Sequence, residues 1–130
     1  MILLDTHVWV RWLEPDSDPL PAAMSGVIDR CDQVVVSAIS CWELAYLARR
    51  NRLVLPLPVD EWLIAALDES GVTSLPLTAR MASMAAGLTD VHRDPADRFI
   101  IATAIEIGAT LLTLDSVFKS YPELIGFLPQ

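Results

Sequence analysis

The chain has 130 residues, of which 53% are hydrophobic and only 5 are glycine, so a disordered protein is excluded and one domain with a sizeable core is expected. The net charge of −8 comes from 17 acidic and 9 basic residues. Taken alone, this charge argues against a nucleic-acid partner, because phosphate binding normally needs a basic surface, and it favours a site that recruits cations or a basic protein partner.

Short apolar runs alternate with helical stretches along the chain. The runs at 2–5, 34–37 and 110–115 are continuous and predict strands buried on both faces, as in a parallel sheet. The run at 71–77 is a weaker strand that ends near a proline, and 125–129 is expected to form a short last strand. Helices are predicted at 7–13, 22–31, 40–50, 59–70, 78–88 and 96–107. The alternation predicts an α/β sandwich with right-handed crossovers.

Several acidic residues adjoin the ends of these predicted strands. Asp5 ends the first run, Asp115 ends the last, and Glu43 lies six residues beyond the second. Asp94 and Asp97 open the helix that precedes the last strand. Ligands of an open parallel sheet gather outside the carboxyl ends of its strands. The chain order therefore permits these carboxylates to converge at one end of the sheet.

Helix capping is the ordinary explanation for each acid taken singly. Asp94 can be an N-cap followed by a proline at the first helical position, with Asp97 as the acid of a capping box. Ser40 and Glu43 have the same spacing. Capping does not explain why Glu43 lies between a tryptophan and a leucine, which indicates partial burial and the need for a counterion.

The coincidence of the acids favours a bound divalent cation. Capping places acids at helix starts on either end of a sheet, whereas these acids adjoin the same ends of three strands. Such a cluster repels itself unless a cation lies among its members. Oxygen ligands without a His pair or Cys set favour Mg²⁺ or Mn²⁺ over Zn²⁺. One or two such ions can orient and deprotonate a water for in-line attack on a phosphodiester.

Four segments, in this order and spacing, carry a family resemblance: LLDTH (3–7), SAISCWELA (37–45), HRDPADRFIIATA (92–104) and LLTLD (111–115). Together they resemble the PIN-domain ribonucleases, and specifically the VapC toxins of bacterial type II toxin–antitoxin pairs. The resemblance implies a single PIN-like domain over 1–130, a three-layer α/β/α sandwich around a short parallel sheet, and Mg²⁺- or Mn²⁺-dependent endonucleolytic cleavage of RNA. It also implies a cognate antitoxin as partner.

The resemblance assigns both metal binding and catalysis to four acids. These are Asp5, Glu43, Asp97 and Asp115, matched in order to the four family acids. Asp94 belongs to the same motif and receives a supporting role as the cap that fixes the helix start.

Other polar residues receive supporting or substrate-binding roles. Thr6, Ser37 and Thr113 are candidate hydroxyls that position carboxylates or water, or that make ordinary cap hydrogen bonds. Arg93 and Arg98 flank the proposed site, where they contact a substrate phosphate or simply offset the acids.

Three further features keep two explanations each. The arginines at 49, 50 and 52 either compensate a helix dipole or contact RNA or antitoxin. Trp9 and Trp12 share one helix face, for core packing or for an antitoxin helix or RNA base. The small residues and methionines of 79–87 suit either an ordinary core helix or a homodimer interface.

A cytoplasmic location is expected from two further observations. No apolar run approaches the ~20 residues of a membrane span, and the N-terminus lacks the basic start of a signal peptide. Cys31 and Cys41 have no metal-type spacing and are expected to stay reduced.

Competing functions remain from other classes. A non-catalytic binding module could use the same fold to hold a partner. A phosphoacceptor receiver requires a second acid beside Asp5, where Thr6 stands, and a haloacid-type phosphatase requires an aspartate where His7 stands.

Overall fold

The computed structural model describes residues 1–91 and 94–129. Within them, a parallel sheet is built from four strands in the order β3-β2-β1-β4. Its strands are β1 (Ile2–Leu4), β2 (Val34–Ser37), β3 (Thr73–Leu75) and β4 (Thr110–Leu112). The four predicted strands up to residue 115 and their parallel arrangement are therefore confirmed.

All six predicted helices are present. They are α1 (Thr6–Leu13), α2 (Ala22–Asp29), α3 (Ala38–Arg49), α4 (Val59–Ile64), α5 (Ala79–Gly87) and α6 (Pro95–Ile107). A π-helical turn (Ala65–Glu69) extends α4, and 3₁₀ turns follow β4 at Ser116–Ser120 and Pro122–Leu124. No helix in the described part of the chain combines the length and the apolar character needed to cross a membrane.

Side chains of the sheet alternate between two apolar cores, which produces the predicted three layers. Ile2 and Leu4 pack in a core with Trp9 and Trp62 on one face, while Leu3 packs against α6 on the other. The ring of Trp9 is fully buried and meets that of Trp62 edge-on, with centroids 5.2 Å apart. Core packing is therefore the correct explanation for Trp9, and the α/β/α sandwich is confirmed.

The predicted last strand at 125–129 is wrong, because this segment forms turns. Gly126 has a left-handed backbone (φ +88°), which glycine adopts without strain. The Phe127 N–H donates to the carbonyl of Leu124, as in a turn. The Phe127 carbonyl accepts a hydrogen bond from the Leu111 N–H at 2.7 Å, so the segment covers the outer edge of β4.

The strand order creates a crevice at the carboxyl edge of β1. The chain leaves β1 towards β2 on one side and returns as β4 on the other, and Leu4 is paired with Val36 and Leu112. Asp5 and Thr113, which follow β1 and β4, therefore lie beside Ser37, the last residue of β2. Sites of doubly wound sheets form at such reversal points.

Gly108 ends α6 and provides a test of the helix boundary. Its backbone is left-handed (φ +68°) and a Cβ there would meet nothing within 4 Å, so Gly108→Ala would add backbone strain without a clash. We expect the free energy of unfolding in urea to fall by about 1–2 kcal/mol. Gly87→Ala is the matched control, because Gly87 is helical and equally open. Equal losses in both variants would contradict this explanation.

Candidate metal centre

A polar pocket of about 150 Å³ lies at the carboxyl edge of the sheet and contains all five acids singled out above. Its lining consists of Asp5, Thr6, His7, Glu43, Asp94, Asp97, Asp115 and Phe118. The acids come from sequence positions up to 110 residues apart, so the topology of the sheet has brought them together. The predicted convergence of carboxylates at one sheet end is found.

Three of these acids cap helices while lining the pocket. Asp5 accepts a hydrogen bond from the Val8 N–H at 2.8 Å at the start of α1. Asp94 accepts one from the Ala96 N–H at 3.0 Å at the start of α6. Asp115 likewise caps the 3₁₀ turn that follows it, at 3.0 Å. Capping and convergence are thus properties of the same side chains, and each cap fixes a carboxylate in the pocket wall.

Glu43 and Asp97 enter the pocket from within helices and form its tightest group together with Asp94. One carboxylate oxygen from each of these three residues lies within 4.8 Å of the others. Oxygens on opposite sides of a bound Mg²⁺ are about 4 Å apart, since each Mg–O distance is about 2.1 Å. Small side-chain movements therefore suffice for the three residues to share one cation.

Threonine hydroxyl groups contact two of the pocket carboxylates. The Thr113 hydroxyl accepts a hydrogen bond from the Asp115 N–H at 3.0 Å and also contacts the Asp5 carboxylate. The Thr6 hydroxyl lies 2.9 Å from that of Ser40 and contacts Glu43. These contacts give both threonines the geometry of positioning groups.

Ser37 acts at the start of α3. Its side chain accepts a hydrogen bond from the Ile39 N–H at 3.2 Å and is fully buried. It is not among the residues that line the pocket. Ser37, and not Ser40, is therefore the cap of the helix that carries Glu43, which explains why this helix begins two residues earlier than predicted.

Asp5, Glu43 and Asp97 hold protons more tightly than ordinary acids, because the pKa of each is raised. Burial, followed by the charges of Asp94 and Glu43, raises the pKa of Asp97 from 3.8 to about 8. Burial also raises the pKa of Asp5 and that of Glu43, although hydrogen bonds from Thr113 and Thr6 respectively oppose the change. Such mutual repulsion is what a divalent cation would relieve, and the all-oxygen donor set fits a hard cation.

Comparison with known proteins identifies the family. The PIN-domain family model matches residues 2–124. A curated relative, ribonuclease VapC22 of Mycobacterium tuberculosis, is 39% identical over 121 residues, which cover 92% of this chain and 91% of the relative. The chain belongs to the PIN-domain family. This membership removes the receiver and haloacid-type phosphatase alternatives.

Solved PIN structures share the fold. VapBC2 of Rickettsia felis, bound to a DNA fragment of its promoter, contains a chain with a TM-score of 0.70 and 22% identity, and the match covers 99% of this chain and 98% of that one. VapC20 of M. tuberculosis, described as a sarcin-ricin loop cleaving toxin, matches with a TM-score of 0.66 and 17% identity. The match covers 92% of this chain and 94% of VapC20. At these identities the likeness shows the fold alone.

Arg98, a predicted substrate contact, binds backbone carbonyls of the same PIN domain. Its guanidinium donates to the carbonyls of Ala85 (3.0 Å), Leu88 (2.8 Å) and Thr89 (3.1 Å). These carbonyls close the end of α5, so Arg98 ties that end to the first turn of α6. A contact between Arg98 and RNA stays a prediction, and Arg93 lies outside the described residues.

Two residues of the pocket lining were not predicted. His7 follows Thr6 at the start of α1, is exposed, and opposes in small part the rise that burial causes in the pKa of Asp5 and of Glu43. Its position two residues after a strand-end acid is a sequence signal for a place beside the site. Phe118 is buried and forms an apolar wall, which nothing in its local sequence indicates.

The raised pKa of Asp97 makes stability depend on pH. Between about 4 and 8 the folded protein retains a proton that the unfolded chain releases, so the free energy of unfolding of the metal-free protein should fall as pH rises through this window. Asp5 and Glu43 act in the same direction. Asp97→Asn should flatten this slope, and Mn²⁺ should restore stability at pH 8. Urea unfolding in chelator measures both effects, and an unchanged slope in the variant would contradict the assignment.

The carbonyl contacts of Arg98 predict a requirement for its forked guanidinium. Arg98→Lys keeps the charge but cannot reach three carbonyls at once, so we expect the free energy of unfolding to fall by about 1–3 kcal/mol. Arg80→Lys is the matched control, because Arg80 is exposed and pairs only with Glu106 at the surface among its described contacts. Similar unfolding midpoints for the two variants would show that the contacts add little.

Proposed function

We propose that this PIN domain is a metal-dependent endoribonuclease and the toxin of a toxin–antitoxin pair. The observation that carries the proposal is the convergence of five carboxylates in one 150 Å³ pocket at the switch point of the sheet. The family match and the ribonuclease relative supply the substrate class, since the chain covers nine-tenths of a protein named as a ribonuclease.

Glu43, Asp94 and Asp97 are the residues that would hold one Mg²⁺ or Mn²⁺ ion, with Asp5 and Asp115 completing the acidic wall. The closeness of the first three oxygens supports this set, which adds Asp94 to the four family acids. Both ions accept carboxylate and water oxygens in octahedral geometry. When bound, the cation supplies positive charge to the phosphodiester transition state and increases the acidity of the attacking water.

The residues of the chain prepare the pocket for this reaction. Asp97 holds a proton near neutral pH and gives it up when positive charge enters, because its pKa of about 8 results from burial and neighbouring acids. Thr113 and Thr6 keep Asp5 and Glu43 oriented. Asp5 is buried and Glu43 and Asp97 are partly buried, so their charges act on each other more strongly than they would in bulk water.

The proposed partners are RNA as substrate, a cognate antitoxin and a second copy of the chain. A basic antitoxin segment would be attracted both by the pocket and by the net charge of −8. Solved relatives include the VapBC2 pair of R. felis, which supports an antitoxin as partner. We further propose that residues 1–130 form a single domain that works in the cytoplasm.

Substitution of acids by their amides separates catalysis from capping. Asn caps nearly as well as Asp, so Asp5→Asn should keep the cap of α1 while removing a charge from the pocket. We expect Asp5→Asn and Asp97→Asn each to abolish Mn²⁺-stimulated cleavage of defined RNAs, with cooperative unfolding retained. Glu43→Gln should behave alike.

The control for this experiment is an exposed acid far from the pocket. Asp32→Asn removes the same charge at an exposed bend before β2 and should leave cleavage unchanged. Mn²⁺ titration into the purified, antitoxin-free protein, followed by chelator, gives the metal dependence. Cleavage by the Asp97→Asn variant at the rate of the unsubstituted protein would overturn the proposed site.

A further inference from the structure

An exposed aromatic pair lies on the outer face of α3. Trp42 is 57% exposed and Tyr46 is 40% exposed, and their rings are stacked with centroids 5.2 Å apart and planes only 19° from parallel. The Arg50 guanidinium lies over the Tyr46 ring, 4.8 Å from its centroid. The three side chains therefore form a continuous column along two helical turns, which we call the α3 column.

Helix stability alone does not require this column. A side-chain pair four residues apart adds little to the stability of a helix, and smaller residues supply the same contribution. Trp9 and Trp62 illustrate the usual place of such rings, since both are buried in the core. A tryptophan with more than half its surface in solvent instead provides a broad π face that a planar ligand can cover.

The column and the candidate metal centre share the helix α3. Trp42 immediately precedes Glu43 in the sequence, and Arg50 lies seven residues after Glu43, almost two full turns later and thus on nearly the same side of α3. Seven residues span about 10 Å of helix. A chain bound at the pocket could therefore continue along this face.

Positive charge collects at the far end of the column. Arg49, Arg50 and Arg52 are exposed and account for three of the nine basic residues of an acidic protein. In a molecule with a net charge of −8, this is a place where a polyanion can be bound next to stacked rings. Aromatic faces flanked by arginines are the combination that binds single-stranded nucleic acid, because bases stack and phosphates pair.

We propose that the α3 column binds single-stranded RNA on one side of the scissile phosphate. One unpaired base stacks on the exposed face of Trp42, and the arginines at its far end contact the following phosphates. The inference rests on the proposed ribonuclease function and adds to it that the substrate is unpaired beside the cut.

The test measures RNA binding apart from cleavage. In chelator, a short fluorescein-labelled single-stranded RNA is titrated with the full chain and with Trp42→Ala, Tyr46→Ala and the double variant. Loss of one stacking contact should weaken binding about 5- to 100-fold. Trp42→Phe and Tyr46→Phe should restore most of the affinity, since Phe keeps a stacking face. The same RNA in a duplex should bind weakly to all of these proteins.

Ile64→Ala is the matched control. Ile64 is 56% exposed on α4 and belongs to neither the pocket nor the column, so its loss should leave RNA binding unchanged. In Mn²⁺, the Trp42→Ala variant should show a higher KM for single-stranded RNA with kcat nearly preserved. Thermal unfolding of each variant checks that the fold is intact.

Three results would overturn the inference. Unchanged RNA affinity in the double variant would show that the column does not bind RNA. If the double variant sediments with half the mass of the unsubstituted protein, the column is a contact between two copies of the chain. If the double variant loses antitoxin binding but keeps its RNA affinity, the column is an antitoxin contact. If the unsubstituted protein binds RNA through the column but cuts none, the ribonuclease proposal fails and the binding surface stands.

Discussion

Mutual repulsion among five carboxylates is the constraint on which the site depends. A cavity of 150 Å³ lined by so many acids is unfavourable, and burial and neighbouring charges push the pKa of Asp97 to about 8. The fold offsets part of this cost by placing helix N-termini there. The helices α1, α3 and α6 all begin at or near the pocket, where their N–H groups and dipoles favour negative charge. The remaining repulsion is what a bound cation would relieve.

Helix capping and metal binding are two explanations for the same acids. The geometry of Asp5, Asp94 and Asp115 joins them, because each caps a helix and lines the pocket. A cap restricts the side chain to one rotamer, so the acid is held in place before any ion binds. Helix capping thus orders three of the five pocket acids, while Glu43 and Asp97 are held by their own helices.

The elements that could be predicted from the sequence were those with local signals. Buried apolar runs predicted β1, β2 and β4, and strand-end acids predicted the pocket, since parallel strands share one edge. Contacts between distant residues could not be predicted. Arg98 donates hydrogen bonds to three carbonyls in α5 and the loop after it, and the Phe127 carbonyl accepts a hydrogen bond from β4 although its segment forms a turn. A basic residue beside an acid has the same local pattern whether it faces solvent, RNA or its own backbone.

The acidic composition argued against a nucleic-acid partner, yet the family and the pocket point to RNA. The contradiction disappears when the positions of the charged residues are considered instead of the net charge. Five of the 17 acids lie in one pocket, where a divalent cation would reverse the local field that a phosphate meets. Three of the nine basic residues lie together at the end of α3, beside two stacked rings that need no charge to hold a base. A net charge therefore predicts solubility and encounter rates, whereas the arrangement of a few side chains decides which ligand the surface can hold.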